Sequence, residues 1–578
     1  MLLKGIPASP GVAIGKVFIL DSEAYTIIKR EISERDLPRE IARFEDALIQ
    51  TRQEILGIQE RISEQLGIKH AEIFNAHLLV LEDRTLIEEV IARLKKELVC
   101  VEYVFDDVLK NYMSAFQKVE DEYLRERVAD IRDIGKRILL HLLGKKRETL
   151  ADISEKVIVI AYDLSPSDTA SLHKKNVIAF ATDIGGKTSH TAIMAKALEI
   201  PAVVGLKSVT KSVKSGATII VDGSNGLVIT DPDQETLAKY EQAKTKIAEF
   251  DASLTHLRDL PCVTRDGHQV HLSANIEIPD EMPSVKSHGA NGIGLYRTEF
   301  FYLDRVDFPT EEEQYEAYKN VAEKTAPDYV VIMTFVLGGD KFMSQLKTPK
   351  EMNPFMGWRA IRFCLARPDI FKVQLRAILR ASAHGKLKIM YPMISGVEEL
   401  REANKLLSEM KDELRRENVP FDQNVETGAM IEVPSAAMTA DILAREVDFF
   451  SIGTNDLIQY SLVVDRVNEK IAYLYEPAHP AVLRLIKSVI DIGHKTNIWV
   501  GMCGEMAGDP VFALILLGFG LDEFSTSPVN IPRIKQIIRS VDYKTAQEIA
   551  NEALTLSTGT EIEEFAARKL RELVPDLQ

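Results

Sequence analysis

The stretch GAMIEVPSAAMTADILAREVDFFSIGTND, residues 428–456, contains the pattern that decides the fold. Its runs GAMIEV and DFFSIG are short and apolar, as is typical of buried strands, and residues 436–445 between them have helical spacing. A strand, a helix and a second strand in this order predict one β/α unit of a parallel sheet.

The same alternation continues in both directions over residues 261–578. The strand candidates are HLSANI (271–276), GIGLYR (292–297), YVVIMTF (329–335), LKIMYPM (387–393), GAMIEV (428–433), DFFSIG (448–453), NIWVGM (497–502) and DEFST (522–526). Helix-like segments separate them, for example residues 356–381, 398–416, 482–494 and 510–517. Eight β/α alternations over roughly 318 residues predict a (β/α)8 TIM barrel, with a doubly wound open sheet as the alternative.

Residues 1–30 and 146–232 together predict a separate α/β domain. Its strand candidates are GVAIGKVFIL (11–20), KVIVIAYDL (156–164), NVIAFATD (176–183), PAVVGL (201–206) and TIIVDGSNGLVIT (218–230). These runs are short, rich in β-branched residues and separated by turns, and residues 189–198 among them have helical spacing.

Residues 31–145 interrupt that domain with a helical insertion. They contain little glycine or proline, and apolar residues recur with heptad-like spacing at Phe44, Leu48 and Ile55, and again at Ile73, His77, Val80 and Leu81. This spacing predicts amphipathic helices folded as hairpins. Residues 233–260 are polar, have helix-compatible spacing and end before Pro261, so they predict a helical linker. Together these segments predict a multidomain α/β fold.

The composition excludes several classes of protein. Acidic residues number 87 and basic residues 71, and this net charge of −16 argues against a nucleic-acid or anionic-membrane binder. The four cysteines have neither a CxxC pair nor metal-type spacing, which fits a reducing compartment. Pro7 and Pro10 interrupt the N-terminal apolar segment, and no apolar run approaches the roughly 18 residues that span a membrane. We therefore expect a cytoplasmic protein without membrane insertion.

Polar side chains follow the ends of several predicted barrel strands, where barrels carry their active sites. They are Arg297, Glu299, Glu432, Asn455, Asp456, Cys503 and Glu505, with Arg359 and Arg466 on following segments. Carboxylate oxygens such as those of Glu432 and Asp456 suit Mg²⁺, and guanidinium groups suit phosphate. The pattern predicts a site for a phosphorylated anion held together with a divalent cation.

Each of these residues also has a simpler interpretation. A carboxylate near a barrel rim is often a helix cap or a solvated ion pair, and a lone cysteine such as Cys503 is more often a small buried apolar residue. The convergence of several strand ends is what favours a functional site.

A second candidate centre lies in TDIGGKTSHTAIMAKALEIPAVVG, residues 182–205. Gly185 and Gly186 permit close approach of the backbone, and Thr188 and Ser189 resemble a helix N-cap. His190 would then lie in the first helical turn, where backbone amides stabilise an anion and a neutral imidazole is a competent nucleophile. A plain glycine-rich turn with a capping histidine is the alternative.

Several of these motifs together resemble the Enzyme I family, the phosphoenolpyruvate-protein phosphotransferases of bacterial sugar phosphotransferase systems. They are GGKTSHTAIMAKALEIPAVVG, GIGLYRTEFFYLDR, NPFMGWRAIR, GAMIEVPSA, SIGTNDLIQYSLVVDR and GMCGEMAGDP, and the match extends from ASPGVAIGKV near the start to DEFSTSP and IPRIK near the end. The resemblance therefore covers essentially the whole chain.

The resemblance implies a role for each site residue. His190 matches the histidine that takes the phosphoryl group and passes it to the phosphocarrier HPr, and Cys503 matches the donor of a proton to the enolate. Glu432 and Asp456 match the Mg²⁺ ligands. The residues that match the phosphoenolpyruvate-binding surface are Arg297, Arg359, Asn455, Arg466 and Lys341. Residues 31–145, with 24 acidic and 18 basic side chains, resemble the HPr-docking subdomain, and a homodimer through the barrel is implied.

One motif departs from the family pattern. The segment after the third barrel strand usually reads like RTxDxGGDK, whereas this chain has Met333 and Val336 at the arginine and first aspartate positions and keeps Lys341. A lost charge-assisted contact is worth on the order of 1.5 to 3 kcal/mol, so we expect weaker activity unless other cations compensate.

Two alternatives follow from these observations. Dikinases and synthases that interconvert pyruvate and phosphoenolpyruvate with ATP need a nucleotide-grasping domain, and the 189 residues before His190 leave too little chain for one. The other alternative is a catalytically weakened HPr-binding regulatory homologue, in which Met333 and Val336 replace the usual Arg and Asp. The presence of the remaining catalytic candidates favours the enzyme.

Overall fold

The computed structural model describes residues 1–20, 27–66, 78, 80–118, 122–144, 153, 155–164, 176–185, 192, 195, 198–302, 308–336, 351, 353–466, 468 and 470–577. The chain forms two compact units, Met1–Ile247 and Ala248–Gln578.

A mixed eight-stranded sheet is the centre of the first unit. Its strands are β1 Leu2–Lys4, β2 Ile6–Ser9, β3 Val12–Ile19, β4 Val157–Ala161, β5 Val177–Thr182, β6 Ala202–Val204, β7 Thr218–Asp222 and β8 Leu227–Thr230. Their spatial order is β1-β8-β7-β3-β4-β5-β6-β2. β3 to β6 pair in parallel and the other neighbours are antiparallel. Every strand predicted for this domain forms, while β1 and β2 were not predicted.

Both faces of this sheet are apolar. Successive residues of β4 alternate between two clusters, so that Ile158 packs with Val17 and Val221 while Val159 packs with Phe180 and others. This alternation follows from the two-residue period of a strand. The predicted helix at residues 189–198 lies largely outside the described residues, although Ala192 and Ala195 are helical and buried.

The insertion between β3 and β4 is helical. Its helices are α1 Leu37–Leu66, α2 Arg84–Glu97, α3 Val101–Lys118 and α4 Glu122–Leu142. Phe44 and Ile55 are buried in its core with Leu81, and Leu48 and Val80 pack against that core. Ile73 and His77, which completed the second heptad-like series, lie outside the described residues.

After β6, the described residues of the first unit include two further helices, α5 Val209–Ser212 and α6 Gln234–Leu254, and α6 leads out of the unit. The backbone N–H of Thr236 donates to Asp233 Oδ1 at 2.7 Å, which caps the start of α6. α6 lies within the predicted linker and crosses the boundary between the two units.

A closed barrel of parallel strands forms the second unit. Its strands are β9 His271–Ile276, β10 Ile293–Tyr296, β11 Tyr329–Met333, β12 Lys386–Tyr391, β13 Glu426–Ile431, β14 Phe449–Ile452, β15 Trp499–Met502 and β16 Glu523–Thr526. β16 pairs with β9 to close the barrel, with Phe524 opposite Leu272. Each predicted strand forms, and closure excludes the open-sheet alternative. The predicted multidomain α/β fold with a helical part and a barrel is confirmed.

Helices surround the barrel. They are α7 Met282–Ser287, α8 Glu311–Thr325, α9 Ala360–Ala366, α10 Pro368–Ala381, α11 Val397–Arg416, α12 Pro434–Met438, α13 Ala440–Leu443, α14 Thr454–Leu462, α15 Pro480–Lys495, α16 Pro510–Phe519, α17 Ile531–Arg539, α18 Tyr543–Ala553 and α19 Gly559–Leu573. The continuous helix predicted over 356–381 is wrong. Pro368 disfavours a helical conformation at Arg367, which separates α9 from α10.

The helix predicted over residues 436–445 is also divided, into α12 and α13, with Thr439 between them in a non-helical conformation. Of the helices that the structure describes, none is both long enough and apolar enough to cross a membrane. All four cysteines are among the described residues, where each is buried and free.

Candidate active site

The described rim residues lie at the carboxyl end of the barrel. Arg297 directly follows β10, Glu432 follows β13, and Cys503 follows β15. Asn455 and Asp456 open α14, just after β14. Parallel strands bring these positions to one end of the barrel. Lys341 and His190 lie outside the described residues.

Glu432 and Asp456 form a pair of like charges. Glu432 is 4% exposed, and its Oε1 accepts a hydrogen bond from the Met393 backbone N–H at 2.6 Å. Burial, reinforced by the negative charge of Asp456, raises the pKa of Glu432 to about 8, although Arg359 opposes that rise. A cation between the two carboxylates would relieve their repulsion.

The donor set of this pair fits Mg²⁺. Among the described residues no group of three or more His, Cys, Asp or Glu side chains could hold a metal, so protein ligands alone would not fill a coordination shell. Mg²⁺ is usually bound by one or two carboxylates together with waters and substrate phosphates. A Cβ on Gly453 would lie 2.9 Å from Glu432 Oε2, which requires glycine beside this carboxylate.

Glu505 connects Asn455 with Arg466. The Asn455 amide donates to Glu505 Oε1 at 3.3 Å, and the Glu505 backbone N–H donates to Asn455 Oδ1 at 3.0 Å. Arg466 Nη1 lies 3.5 Å from the same Oε1. The side chain of Glu505 is 72% exposed, so this carboxylate lies on the open side of the site and contacts two groups that suit phosphate.

Arg297 is paired with Glu277. Its Nη1 donates to Glu277 Oε1 at 2.7 Å. Burial alone would lower the pKa of Arg297, but the negative charges of Glu277 and Glu299 outweigh that effect and hold the pKa above its ordinary value. Arg297 therefore stays a cation at this end of the barrel.

Arg359 precedes α9, in the loop NPFMGWR. Its guanidinium group lies 5.8 Å from the centre of the Phe355 ring. The Tyr460 hydroxyl donates to the Phe355 carbonyl, which ties this loop to α14. Arg359 also favours the charged form of Glu432, so its guanidinium charge acts on the carboxylate pair.

Cys503 lies at the bottom of the site. It is 3% exposed and packs in the barrel interior with Met333, Met430 and Phe449. Burial raises the pKa of the thiol to about 12; Ser451 opposes this shift, and the negative charge of Glu432 adds to it. The Cys503 thiol therefore carries its proton at neutral pH.

Two polar residues, half-buried Asn275 and buried Ser525, hold the backbone at Cys503. The Asn275 amide donates to the Cys503 carbonyl at 2.9 Å, and the Ser525 hydroxyl donates to Asn275 Oδ1 at 2.6 Å. The bond from Ser525 fixes the orientation of the Asn275 amide.

Three non-glycine residues around the site have left-handed backbone angles. Ala360 follows Arg359 with φ +51°, Met393 donates to Glu432 with φ +59°, and Val463 ends α14 with φ +55°. Such conformations are costly for residues with a Cβ, and they concentrate at functional sites.

Met333, at the position of the family's arginine, supplies no positive charge to the site. It is 4% exposed and belongs to the apolar interior cluster, and Val336 packs against the same cluster. The strand that carries a phosphate-binding arginine in the family pattern thus presents an apolar surface here.

The structure describes only the edge of the second centre. Gly185 has φ +117°, and a Cβ on Gly205 would lie 3.2 Å from the Gly185 carbonyl oxygen. The φ of Gly205, +71°, adds to this close approach in favouring glycine at 205. Gly186, Thr188 and Ser189 lie, like His190, outside the described residues.

Sequence reasoning missed Asn275 and Glu277. Asn275 lies in the predicted strand HLSANI and Glu277 directly follows it, so both stand at the carboxyl end of that strand, like the predicted rim residues of the other strands. Tyr460 was also missed, since its contact with Phe355 joins segments that are far apart in the chain.

Similarity to known proteins extends over nearly the whole chain. Residues 4–127 match the N-terminal domain of PEP-utilising enzymes, residues 153–226 their mobile domain and residues 251–543 their PEP-binding domain. The phosphoenolpyruvate-protein phosphotransferase of Priestia megaterium is 48% identical over 97% of this chain and 98% of its own. That of Geobacillus stearothermophilus is 48% identical over 98% of both chains.

A solved structure described as the NMR solution structure of Enzyme I (nEIt) is 48% identical over 43% of this chain and 99% of its own, with a TM-score of 0.36. The curated relatives match nearly end to end, and the PEP-utilising domains follow one another in the same chain. The chain therefore belongs to the phosphoenolpyruvate-protein phosphotransferase family.

Proposed function

We propose that this chain transfers the phosphoryl group of phosphoenolpyruvate to its own His190 and then to the phosphocarrier HPr, releasing pyruvate. Phosphoryl transfer from phosphoenolpyruvate to a protein is the activity of the family to which the chain belongs. The observation that carries the residue assignment is the meeting of a carboxylate pair, several cations and a protonated thiol at one end of the barrel.

The anion is bound by the rim cations. Arg297, Arg359 and Arg466 supply guanidinium groups that match phosphate and carboxylate oxygens, and Lys341 adds a further positive charge. The Asn455 amide would donate a hydrogen bond to the same ligand.

Glu432 and Asp456 would hold Mg²⁺. The bound ion supplies positive charge that neutralises the phosphate and the enolate oxygen. The observation behind this assignment is the repulsion between the two carboxylates, which a divalent cation would remove.

Neutral His190 attacks phosphorus in line, and the bond from phosphorus to the enol oxygen breaks. The rim arginines balance the charge on the phosphoryl oxygens during transfer. The remaining enolate takes a proton at carbon from the Cys503 thiol, which yields pyruvate. The pKa of about 12 keeps that proton on sulfur until the enolate forms.

His190 and the barrel belong to different domains in this proposal. Residues 1–30 and 146–232 form the phosphohistidine domain, residues 31–145 the HPr-docking subdomain, residues 233–260 the linker, and residues 261–578 the phosphoenolpyruvate-binding barrel. His190 must reach both the barrel and HPr, so the domains have to move relative to each other. A homodimer through the barrel and a cytoplasmic location complete the proposal.

The regulatory alternative has one observation in its favour, the apolar surroundings of Met333. A regulatory homologue would bind HPr with little phosphoryl transfer. An active enzyme would bind HPr and also transfer the phosphoryl group to it.

The test is incubation with phosphoenolpyruvate, Mg²⁺ and HPr, with pyruvate and phospho-HPr as the measured products. We expect the two products in equal amounts. His190→Ala should abolish transfer and leave binding of phosphoenolpyruvate to the barrel intact, as measured by calorimetry. Binding of HPr without pyruvate release would support the regulatory alternative instead.

A further inference from the structure

The Cys503 thiol must regain its proton after every turnover, yet it is almost completely buried. Apolar residues cover one side of it, namely Leu295, Met333, Met430 and Phe449. The other side of the barrel interior is lined by small and polar residues. A buried carboxylic acid, Glu523, lies on that side and has no part in the reaction described above.

Glu523 is the first residue of β16, and its side chain lies inside the barrel, 1% exposed. The Tyr329 hydroxyl donates to Glu523 Oε1 at 2.6 Å. Its Oε2 has no hydrogen-bond partner within the part of the chain that the structure describes. A Cβ on Gly501 would lie 2.6 Å from that Oε2, and one on Gly294 would lie 2.9 Å from Oε1. The barrel therefore has glycine at the two positions that make room for this carboxyl group.

Strand register places Glu523 below Cys503. Gly501 is opposite Glu523 on the neighbouring strand. Cys503 directly follows that strand, two residues beyond Gly501, and also lies in the barrel interior. Ser525 is likewise two residues beyond Glu523. Its hydroxyl begins the hydrogen-bond chain through Asn275 to the Cys503 carbonyl.

Two serine hydroxyls lie close to these groups, Ser273 near Glu523 and Ser451 near Cys503. Ser273 on β9 and Ser451 on β14 are buried, and neither Oγ makes a well-formed hydrogen bond among the described residues. Ser273 is near enough to lower the pKa of both Glu523 and Tyr329, and Ser451 is near enough to lower that of Cys503. Buried hydroxyls that lie close to polar groups without a well-formed hydrogen bond are typically bridged by ordered water.

The groups that face Glu523 control its charge. Burial raises the pKa of Glu523, while Ser273, Tyr329, Lys388 and His271 oppose that rise. His271, the first residue of β9, is paired with Glu523 in the sheet and is exposed at the amino end of the barrel. An exposed imidazole thus lies next to a buried acid.

We propose that Glu523 returns a proton to Cys503 through ordered water along Ser273 and Ser451, inside the barrel. The proposal rests on the proposed role of Cys503 as proton donor. The thiolate left after enolate protonation takes a proton from a water molecule, and that water takes one from the Glu523 carboxyl group. Glu523 then regains its proton from solvent by way of His271. Each step breaks one bond to hydrogen and forms another, so no further reactant is needed.

The test compares two substitutions of Glu523 in the full chain by rapid-quench kinetics with phosphoenolpyruvate, Mg²⁺ and HPr. Glu523→Gln keeps the shape but has no acidic proton. We expect its first turnover at the wild-type rate and later turnovers at least about tenfold slower, with an unchanged KM for phosphoenolpyruvate. Glu523→Asp keeps the acid and alters the packing, and we expect it to retain more of the steady-state rate than Glu523→Gln.

A purely structural role for Glu523 gives the reverse order, with Glu523→Gln active and Glu523→Asp impaired, and that order would overturn the proposal. Glu426→Gln is the matched control, since Glu426 is a carboxylate at the amino end of the barrel that pairs with Lys388 instead. Cys503→Ser is measured alongside. An unchanged rate and solvent isotope effect in that variant would show that the proposed role of Cys503 has failed, separately from that of Glu523.

Discussion

The two ends of the barrel have opposite arrangements of charged side chains: paired opposite charges at the amino end, and two neighbouring carboxyl groups at the carboxyl end. At the amino end, Lys388 Nζ lies 2.7 Å from Glu426 and within 4.4 and 4.5 Å of the ring centres of Tyr329 and Trp499. Trp499 stacks on Phe449 with ring centres 4.5 Å apart. At the carboxyl end, Glu432 is beside another negative charge, that of Asp456.

The charged residues at the amino end stabilise the fold, whereas those at the carboxyl end are arranged to bind ligands. A partly buried pair of opposite charges covered by aromatic rings contributes to folding in the absence of any ligand. Two neighbouring carboxyl groups cannot both ionise freely until a cation arrives, so the repulsion between their charged forms becomes affinity for that cation. Disruption of the amino end should therefore affect unfolding, and disruption of the carboxyl end should affect ligands.

The largest effect is expected from Glu432→Gln. Loss of one carboxylate from the pair should reduce turnover at least about a thousandfold, because charge neutralisation of the phosphate depends on the bound cation. Mg²⁺ should raise the melting temperature of the wild type but not of this variant. Steady-state kinetics and thermal melts with and without Mg²⁺ measure both effects. Glu426→Gln, at the other end, should keep the Mg²⁺ response; a normal response in Glu432→Gln would contradict the assignment of the metal site.

Lys388→Met should chiefly change stability. The variant leaves Glu426 without its cation and removes the ammonium group from the aromatic rings, which should lower the free energy of unfolding by about 2 kcal/mol. The expected loss is small for a broken ion pair because the Glu426 side chain is 41% exposed, so solvent screens its charge. Urea denaturation measures the loss. Calorimetry should find an unchanged affinity for phosphoenolpyruvate, and a matching loss of affinity would erase the distinction between the two ends.

Met333→Arg combined with Val336→Asp should strengthen the binding end. An arginine alone would enter an apolar cluster without a counter-charge, so the single variant should gain less than the pair. We expect the double variant to raise kcat/KM for phosphoenolpyruvate about tenfold, which corresponds to roughly 1.4 kcal/mol. Kinetics at saturating HPr test this. A folded double variant without improvement would mean that the remaining rim cations already complete the site.

Glu505→Gln should have the smallest effect. Glu505 contacts both Asn455 and Arg466, so phosphoenolpyruvate bound on the proposed surface would have to displace an exposed carboxylate from them. Removal of this competing charge should lower the Kd for phosphoenolpyruvate about threefold, as expected for an exposed ion pair. Calorimetry is the measurement, and Glu446→Gln, which breaks the exposed pair with Arg401, is the control. Weaker binding would instead make Glu505 a residue that positions Asn455.

The barrel strands could be predicted because their sequences are continuous apolar runs bounded by turn residues. Strands that are covered on both faces have this pattern, and each predicted run forms a strand. The long helix over 356–381 failed at a signal that was visible, since proline inside a helical pattern marks a boundary at the residue before it. β1 and β2 are too short for any period to be recognised.

The rim residues could be predicted from their places after strand ends, but their partners could not. The pairing of Arg297 with Glu277 depends on β9 and β10 being neighbours and on the side-chain conformations of both residues. The DEFST run gave no indication that Glu523 faces inward, because a shift of one residue in register would point it outward. Lys388 and Glu426 meet only because β12 pairs with β13 in the observed register.

The left-handed residues Ala360, Met393 and Val463 have a consequence for engineering a more heat-resistant enzyme. Replacement of each by glycine removes a steric conflict of about 1 kcal/mol and would score well in any search for stabilising changes. The same replacement frees the backbone next to Arg359, Glu432 and the segment that carries Arg466. A screen that selects for melting temperature alone would therefore accumulate changes at these positions and lose activity.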